Sequence, residues 1–524
     1  MLGCISRNHA IVKGEPMPCT TLLVGKRASY DGSTIVARNE DSEAGQFNPK
    51  CLRVIEPADQ PRHYRSVLSH LELDLPSDPM RYTSLPDAST ARGVWGEAGI
   101  NTCDVSMSAT ETLTTNERVL GADPLVELTC ATGTPGEDSS QPERAGGLGE
   151  EDLLTVVLPY IHSAREGVAR LGALLEEYGT YESNGIAFSD VDEVWWLETV
   201  GGHHWIARRV PDDCYVTAPN QLGIDSFDLT DALGEATDHL CSPDLVEFVE
   251  KNHLDLGLGD PRVDGHRILD ARAAFGSASD ADHVYNTPRA WAMQRFLNPH
   301  AEPWDVPDQG LDPDSDDIPW CRVPERKVTI EDVRYTLALH YQGTPYDPFG
   351  RGGDEVTRHL LRPIGINRNG QLSVAQIRPD APDACRSVQW VAYGCNVFNA
   401  LVPLYANVDR APAYLAVTPP TPTTTSHYWA NRIIAALASP HFHDCEAHVE
   451  RYQQRVGSQG HAILNRTDAH VAEAGLAYAD APETLAGAND EAAHMLEAET
   501  NDLLAHVLYE SSCDMGNAFS RSDM

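Results

Sequence analysis

The stretch Cys19-Thr20-Thr21-Leu22-Leu23-Val24-Gly25 … Asp31-Gly32-Ser33-Thr34-Ile35-Val36-Ala37-Arg38-Asn39-Glu40-Asp41 constrains this 524-residue chain more than any other. Thr20 to Gly25 is rich in β-branched and aliphatic residues and reads as a strand. Asp31-Gly32-Ser33 supplies turn chemistry, and Thr34 to Arg38 reads as the returning strand. With the turn centred near Tyr30, residues whose numbers sum to about sixty face each other across the hairpin. Cys19 then lies opposite the Arg38 to Asp41 segment, and a thiol, a guanidinium and a carboxylate converge at one end of a rigid ribbon.

A thiol attacks as the thiolate, and a free Cys titrates at about 8.5. A free α-amino group titrates at about 7.7–8.0, so a useful fraction is basic at neutral pH. A terminal Cys therefore carries nucleophile and base on one residue and needs no separate His. Arg38 is placed to hold the thiolate, and Asp41 to orient or hydrogen-bond the ammonium. While Pro18 remains attached the Cys19 nitrogen is an amide and cannot act as a base. The bland alternatives are a buried small hydrophobe for Cys19 and a surface ion pair for Arg38 with Asp41.

These residues resemble the opening of the cysteine-type dipeptidases among the N-terminal-nucleophile hydrolases, a family related to secernins and to the bile-salt and penicillin V acylases. The resemblance continues in order through Gly149-Glu150-Glu151-Asp152-Leu153-Leu154, Arg209-Val210-Pro211-Asp212-Asp213, Asn286-Thr287-Pro288-Arg289, Gly343-Thr344-Pro345-Tyr346-Asp347-Pro348 and Arg362-Pro363-Ile364. It implies an α+β fold, a four-layer αββα sandwich of two mainly antiparallel sheets between helices. It implies that Cys19 begins the mature chain, so that Met1 to Pro18 is a leader removed on maturation, unless Met17 is the true start. It also implies an oxyanion-hole donor at Asn220, which follows Ala218-Pro219, and a second active-site Arg at Arg289. The other readings are a turn-capping Asn and a helix-entry Arg. The acylases use a second Asn that should fall near Ser108 to Glu111, where this chain has none. The substrates implied are dipeptides with a free amino end. Glu40 is a candidate for that amino group, with a surface carboxylate as its alternative.

Asp plus Glu number 78 against 39 Lys plus Arg, a formal charge of −39. Such a balance argues against nucleic-acid and anionic-membrane partners and says nothing about the substrate. Small peptides, as the resemblance implies, are the expected partners, with a homo-oligomer an open alternative. The twelve cysteines are scattered without a CxxC pair, which does not read as a disulfide scaffold. The first twenty residues lack an apolar signal core, and no apolar run approaches about 18 residues. A reducing cytoplasm is the expected location.

Along the chain, Cys51 to Ile55 reads as a strand, Gly99-Ile100-Asn101 as a turn and Val105 to Thr110 as a strand. Thr132 to Gly149 reads as a loop. Glu150 to Tyr178 is helical in period, with acids in its first turn and Pro159 dividing it. Glu193 to Val216 reads as a meander, His300 to Glu325 as a Pro- and Asp-rich loop over a cleft, and Val388 to Tyr393 and Pro403 to Ala406 as strands. A catalytic domain over 19–425 and a helical region over 426–524 packed on it follow. The run His441-Phe442-His443-Asp444-Cys445-Glu446-Ala447-His448 is the one candidate metal cluster. It lacks a second ligand group at zinc-site spacing, so no metal or other cofactor is expected. Gly350 to Gly353 lacks the Lys-Ser/Thr ending of a phosphate loop, and no GxSxG elbow is present. The function expected is dipeptide hydrolysis through an acyl-enzyme on Cys19. An acylase acting on another amide, or a non-catalytic secernin-like interaction protein, is the alternative.

Overall fold

The computed structural model describes residues 19–43, 45–133, 140–258, 262–304, 306 and 309–515. Met1 to Pro18, the expected leader with its alternative start Met17, lies outside the described residues.

The hairpin forms as its sequence dictates. Strands Cys19–Val24 and Thr34–Asp41 pair antiparallel, with Cys19 opposite Glu40 and Val24 opposite Ile35. Both strands are buried along their whole length, because each is also paired on its outer edge. Tyr215–Ala218 pairs with the first strand and Asn369–Ile377 with the second. The resulting seven-stranded sheet runs Cys321–Arg322, Tyr215–Ala218, Cys19–Val24, Thr34–Asp41, Asn369–Ile377, Ser387–Tyr393, Val402–Tyr405. A six-stranded sheet runs His239–Cys241, His204–Arg209, Val194–Val200, Asn184–Ser189, Ser106–Thr112, Ala98–Ile100.

Strand alternation sorts the hydrophobic side chains into separate cores. Leu22, Val24, Ile35 and Ala37 pack with residues of helices Thr287–Leu297, His427–Ala438, Phe442–Ala474 and Pro482–Cys513. Leu23 and Val36, on the opposite pleat, pack with Ala187, Trp196 and Ile206 of the second sheet. The other face of that sheet, through Ile186, Phe188, Trp195 and Leu197, meets Leu153, Val157, Val168 and Leu171 of helices Glu150–Val157 and Ala164–Tyr178. Pro159 sits in the 3-10 turn Leu158–Tyr160 that divides the Glu150–Tyr178 helical stretch, as its missing N–H requires.

Some expectations are corrected. Gly99 and Ile100 belong to a strand paired with Met107 and Ser106, and the turn follows at Asn101–Asp104. The meander ends with His204–Arg209, since Tyr215–Ala218 crosses to the other sheet to pair with the first hairpin strand. The helical region beyond 426 holds His427–Ala438 and then two long helices, Phe442–Ala474 and Pro482–Cys513, which part at Gly475, whose left-handed φ of 61° ends the first of the two. Among the described residues no helix is long and apolar enough to cross a membrane.

Candidate active site

Cys19, at the end of a central strand, is wholly buried and points to the same side as Thr21 and Leu23, toward the second sheet. Its backbone nitrogen donates to Asn220 Oδ1 at 3.2 Å. Asn220 follows the Tyr215–Ala218 strand, which pairs with the hairpin and so delivers it beside Cys19. Its carboxamide is fixed at both ends: Nδ2 donates to the Thr112 carbonyl at 2.9 Å, and Oδ1 also accepts from Arg289 Nη2 at 2.8 Å.

Arg289 enters from the first turn of helix Thr287–Leu297, where Pro288 presets the backbone. It is fully buried, and its fork is filled. Nη1 donates to the Cys19 carbonyl and to Thr20 Oγ1 (2.7 Å), Nη2 to Asn220 and to Asn286 Oδ1 (2.7 Å), and Nε to the Tyr285 carbonyl (2.8 Å). Burial, with Arg362 nearby, pulls its pKa down to about 10. Cys19, Asn220 and Arg289 are thus one hydrogen-bonded unit.

Arg38 lies diagonally across the hairpin from Cys19. Nη2 donates to Glu97 and, at 3.2 Å, to Glu150, and Nη1 is buried with no hydrogen-bond partner among the described residues. Glu150 is one of the acids in the first turn of its helix, and instead of facing water it is buried against this guanidinium. Burial opposes the charge on Arg38, but the Cys19 thiol, Glu97 and Glu150 more than offset it and its pKa is raised. The charges continue inward. Lys50 Nζ lies 2.7 Å from Asp87, 3.1 Å from Glu40 and 3.4 Å from Glu97. Burial is the main reason the carboxyls of Glu40, Glu97, Glu111 and Glu150 are pushed up to about 8. The same burial drives the Cys19 thiol well above its ordinary value, against the pull of Arg38. With its nitrogen in peptide linkage, this is a protonated thiol.

Asp41 is also buried, but its carboxylate accepts from Arg362 and from Asn369 Nδ2 (2.5 Å). Glu40, directly opposite Cys19, is not the surface carboxylate of the alternative reading: it is buried against Lys50. In the 441–448 run, Cys445 is buried in the core and His448 stacks on His506, whereas His441 and Asp444 converge with exposed Asp514. That group lies where the start of helix Phe442–Ala474 meets the end of helix Pro482–Cys513.

Sequence reasoning misses Glu97, Lys50, Thr20 and Glu111, and offers Glu150, Asn286 and Arg362 only as residues of the resemblance. A buried ionisable residue leaves little trace in a single sequence, although an acid or Lys inside an otherwise apolar strand context is the signal to look for.

Comparison with known proteins places the whole chain. The model of peptidase family C69 matches residues 18–455. A dipeptidase of Bifidobacterium longum is 56% identical over 97% of this chain and 100% of its own length. A probable dipeptidase A of Streptococcus pyogenes serotype M18 is 50% identical over 98% of this chain and 99% of its own. Dipeptidase A of Lactobacillus helveticus is 41% identical over 94% and 96%. The buried thiol that heads the first strand therefore sits in a chain that belongs to peptidase family C69.

Proposed function

We propose that this protein is a cysteine-type dipeptidase of the N-terminal-nucleophile kind, and that its fold is the four-layer αββα sandwich of those hydrolases. The successive cores on either face of each sheet support the layering. The dipeptidase names of relatives that align end to end support the substrate class. One observation carries the mechanism: the nitrogen that release from Pro18 would make an amine is held by Asn220, on the very residue that bears the thiol.

In this reading, release of Pro18 turns the Cys19 nitrogen into a base that accepts the thiol proton, and Arg38 stabilises the thiolate. The sulfur attacks the peptide carbonyl, and the ammonium returns the proton to the leaving amine. Water then hydrolyses the thioester and regenerates the thiol. Asn220 orients the amine through Oδ1, and the second Nδ2 hydrogen serves the developing oxyanion, an effect of about 3 kcal/mol for such a donor. Arg289 locks Asn220 and the Cys19 carbonyl. Asp41 bears on the thiol by its charge, and a freed ammonium would compete with Arg362 for it. The described cysteines are all free thiols, in keeping with a reducing cytoplasm.

Intact-mass measurement on protein from its host, combined with hydrolysis of a dipeptide panel, tests the proposal. The expected result is a chain that begins at Cys19, turns over dipeptides, and loses activity in Cys19→Ala. Full activity with Pro18 still in peptide linkage would refute it. No turnover by protein shown to begin at Cys19 would favour the non-catalytic reading.

A further inference from the structure

A dipeptidase must tell a free amino end from the interior of a longer peptide. In the substrate the α-ammonium nitrogen is only two bonds from the carbon the sulfur attacks, so its acceptor must lie beside Cys19. Buried acids surround that place, and most are taken. Glu97 and Glu150 accept from Arg38, Asp41 accepts from Arg362 and Asn369, and Glu40, whose oxygens also lack a hydrogen-bond partner among the described residues, is ion-paired with Lys50.

Glu111 differs. It stands in the strand Ser106–Thr112 at the point where pairing with Asn184–Ser189 shifts register, a bulge that redirects side chains. Its Oε2 accepts from Thr21 Oγ1 at 2.7 Å, and Thr21 shares the Cys19 face of the hairpin two residues along. Its Oε1 is buried without a hydrogen-bond partner among the described residues. Of the acids that bear on the thiol, Glu111 bears most strongly. Arg38 Nη1 is likewise buried and unpartnered, so an acid and a guanidinium that both bear on the Cys19 thiol have unused bonding capacity; burial favours the protonated Glu111 in the empty site, and an arriving ammonium favours its carboxylate. A zwitterionic dipeptide has the complementary pair of charges.

We propose that Glu111 is the acceptor for the α-ammonium group of the substrate, and so the residue that confines hydrolysis to peptides with a free amino end. The proposal rests on the dipeptidase reading above. It also gives a use to the position where acylases carry an Asn: an amide suits an uncharged substrate, and a carboxylate suits an ammonium.

The test reads binding, so that it stands apart from turnover. A hydroxyethylene dipeptide isostere with a free amino end and its des-amino counterpart are titrated calorimetrically into the natively processed protein, Glu111→Gln and Glu40→Gln. The parent should bind the amine form about 10- to 100-fold more tightly, the span of a charge-assisted hydrogen bond. Glu111→Gln should bring the two within about threefold by weakening the amine form alone, while Glu40→Gln keeps the preference. Equal binding of both ligands by the parent would overturn the proposal. So would an unchanged preference in Glu111→Gln, an equal loss for both ligands there, or collapse of the preference in Glu40→Gln instead. If the parent shows the preference yet hydrolyses no dipeptide, the dipeptidase reading fails and the ammonium site stands.

Discussion

Replacing Arg289 by lysine keeps a positive charge and removes the fork. The guanidinium serves the Cys19 carbonyl, Thr20 Oγ1, Asn220 Oδ1, Asn286 Oδ1 and the Tyr285 carbonyl from three nitrogens spread in a plane. An ammonium has three protons at one point, so at least two of those acceptors lose their donor. A buried acceptor left unfilled costs about 1–3 kcal/mol, which sets the loss at about 2–4 kcal/mol once the Thr20 hydroxyl has rotated to a new partner. Relief of Arg289's own burial, which already lowers its pKa to about 10, offsets part of a complete removal by Arg289→Met. The charge-retaining variant is therefore the cleaner probe. Because the lost bonds hold the Cys19 carbonyl and Asn220, kcat/KM should fall by at least about 30-fold, the equivalent of about 2 kcal/mol. The assay is steady-state release of amine from a dipeptide, paired with urea unfolding followed by fluorescence. A folded Arg289→Lys protein with kcat/KM within about threefold of the parent would show that the planar fork does not position the nucleophile.

Stability should fall as pH rises. Burial pushes Glu40, Glu97, Glu111 and Glu150 up to about 8 from an ordinary 4.5, so the folded chain binds protons there that the unfolded chain has released. Their contribution is full below the unfolded value and is lost as pH passes through about 8. Glu331, held at about 2 chiefly by His461, works the other way and loses its contribution only as pH falls through that value. The formal −39 adds repulsion of the same sign at high pH, and salt screens that part but not the buried part. Scanning fluorimetry should show Tm declining from pH 5 to 8.5 even in high salt, and a rising Tm over that window contradicts the buried-acid account. Gly99→Ala should be severely destabilising, by about 3 kcal/mol or more. A Cβ there would stand 1.9 Å from the Thr83 carbonyl oxygen, a backbone atom that cannot rotate away. A wild-type urea midpoint would mean that the Thr83–Gly99 approach is looser than described.

The hairpin was legible because its two strands follow one another and turn chemistry sets register locally. Cys19 opposite Glu40 lies one residue from the expected pairing. The divided helix at Pro159 was legible for the same reason. What could not be read was long-range. Asn369–Ile377, the strand that covers the other side of the hairpin, mixes Asn369, Gly370, Gln371, Ser373 and Gln376 among its apolar residues and identifies itself only by its partners. Tyr215–Ala218 follows the meander in sequence, yet it pairs with the strand that Cys19 heads. At the site, Cys19, Arg38, Asn220 and Arg289 carried signals in residue type and motif. Lys50, Glu97 and Glu111 carried none, because ordinary charged residues acquire unusual chemistry only when distant strands bury them together.

The place of the first strand in its sheet bears on how the protein is made. Cys19–Val24 has Tyr215–Ala218 on one side and, past its hairpin partner, Asn369–Ile377. A ribosome must deliver nearly four hundred residues before that sheet can close, so Thr34–Asp41, though made early, is among the last strands to have its outer edge paired. Until then its apolar edge is open to chaperones and to other nascent chains. Slower elongation near codon 370 should therefore change the yield of native protein more than slowing near the terminus.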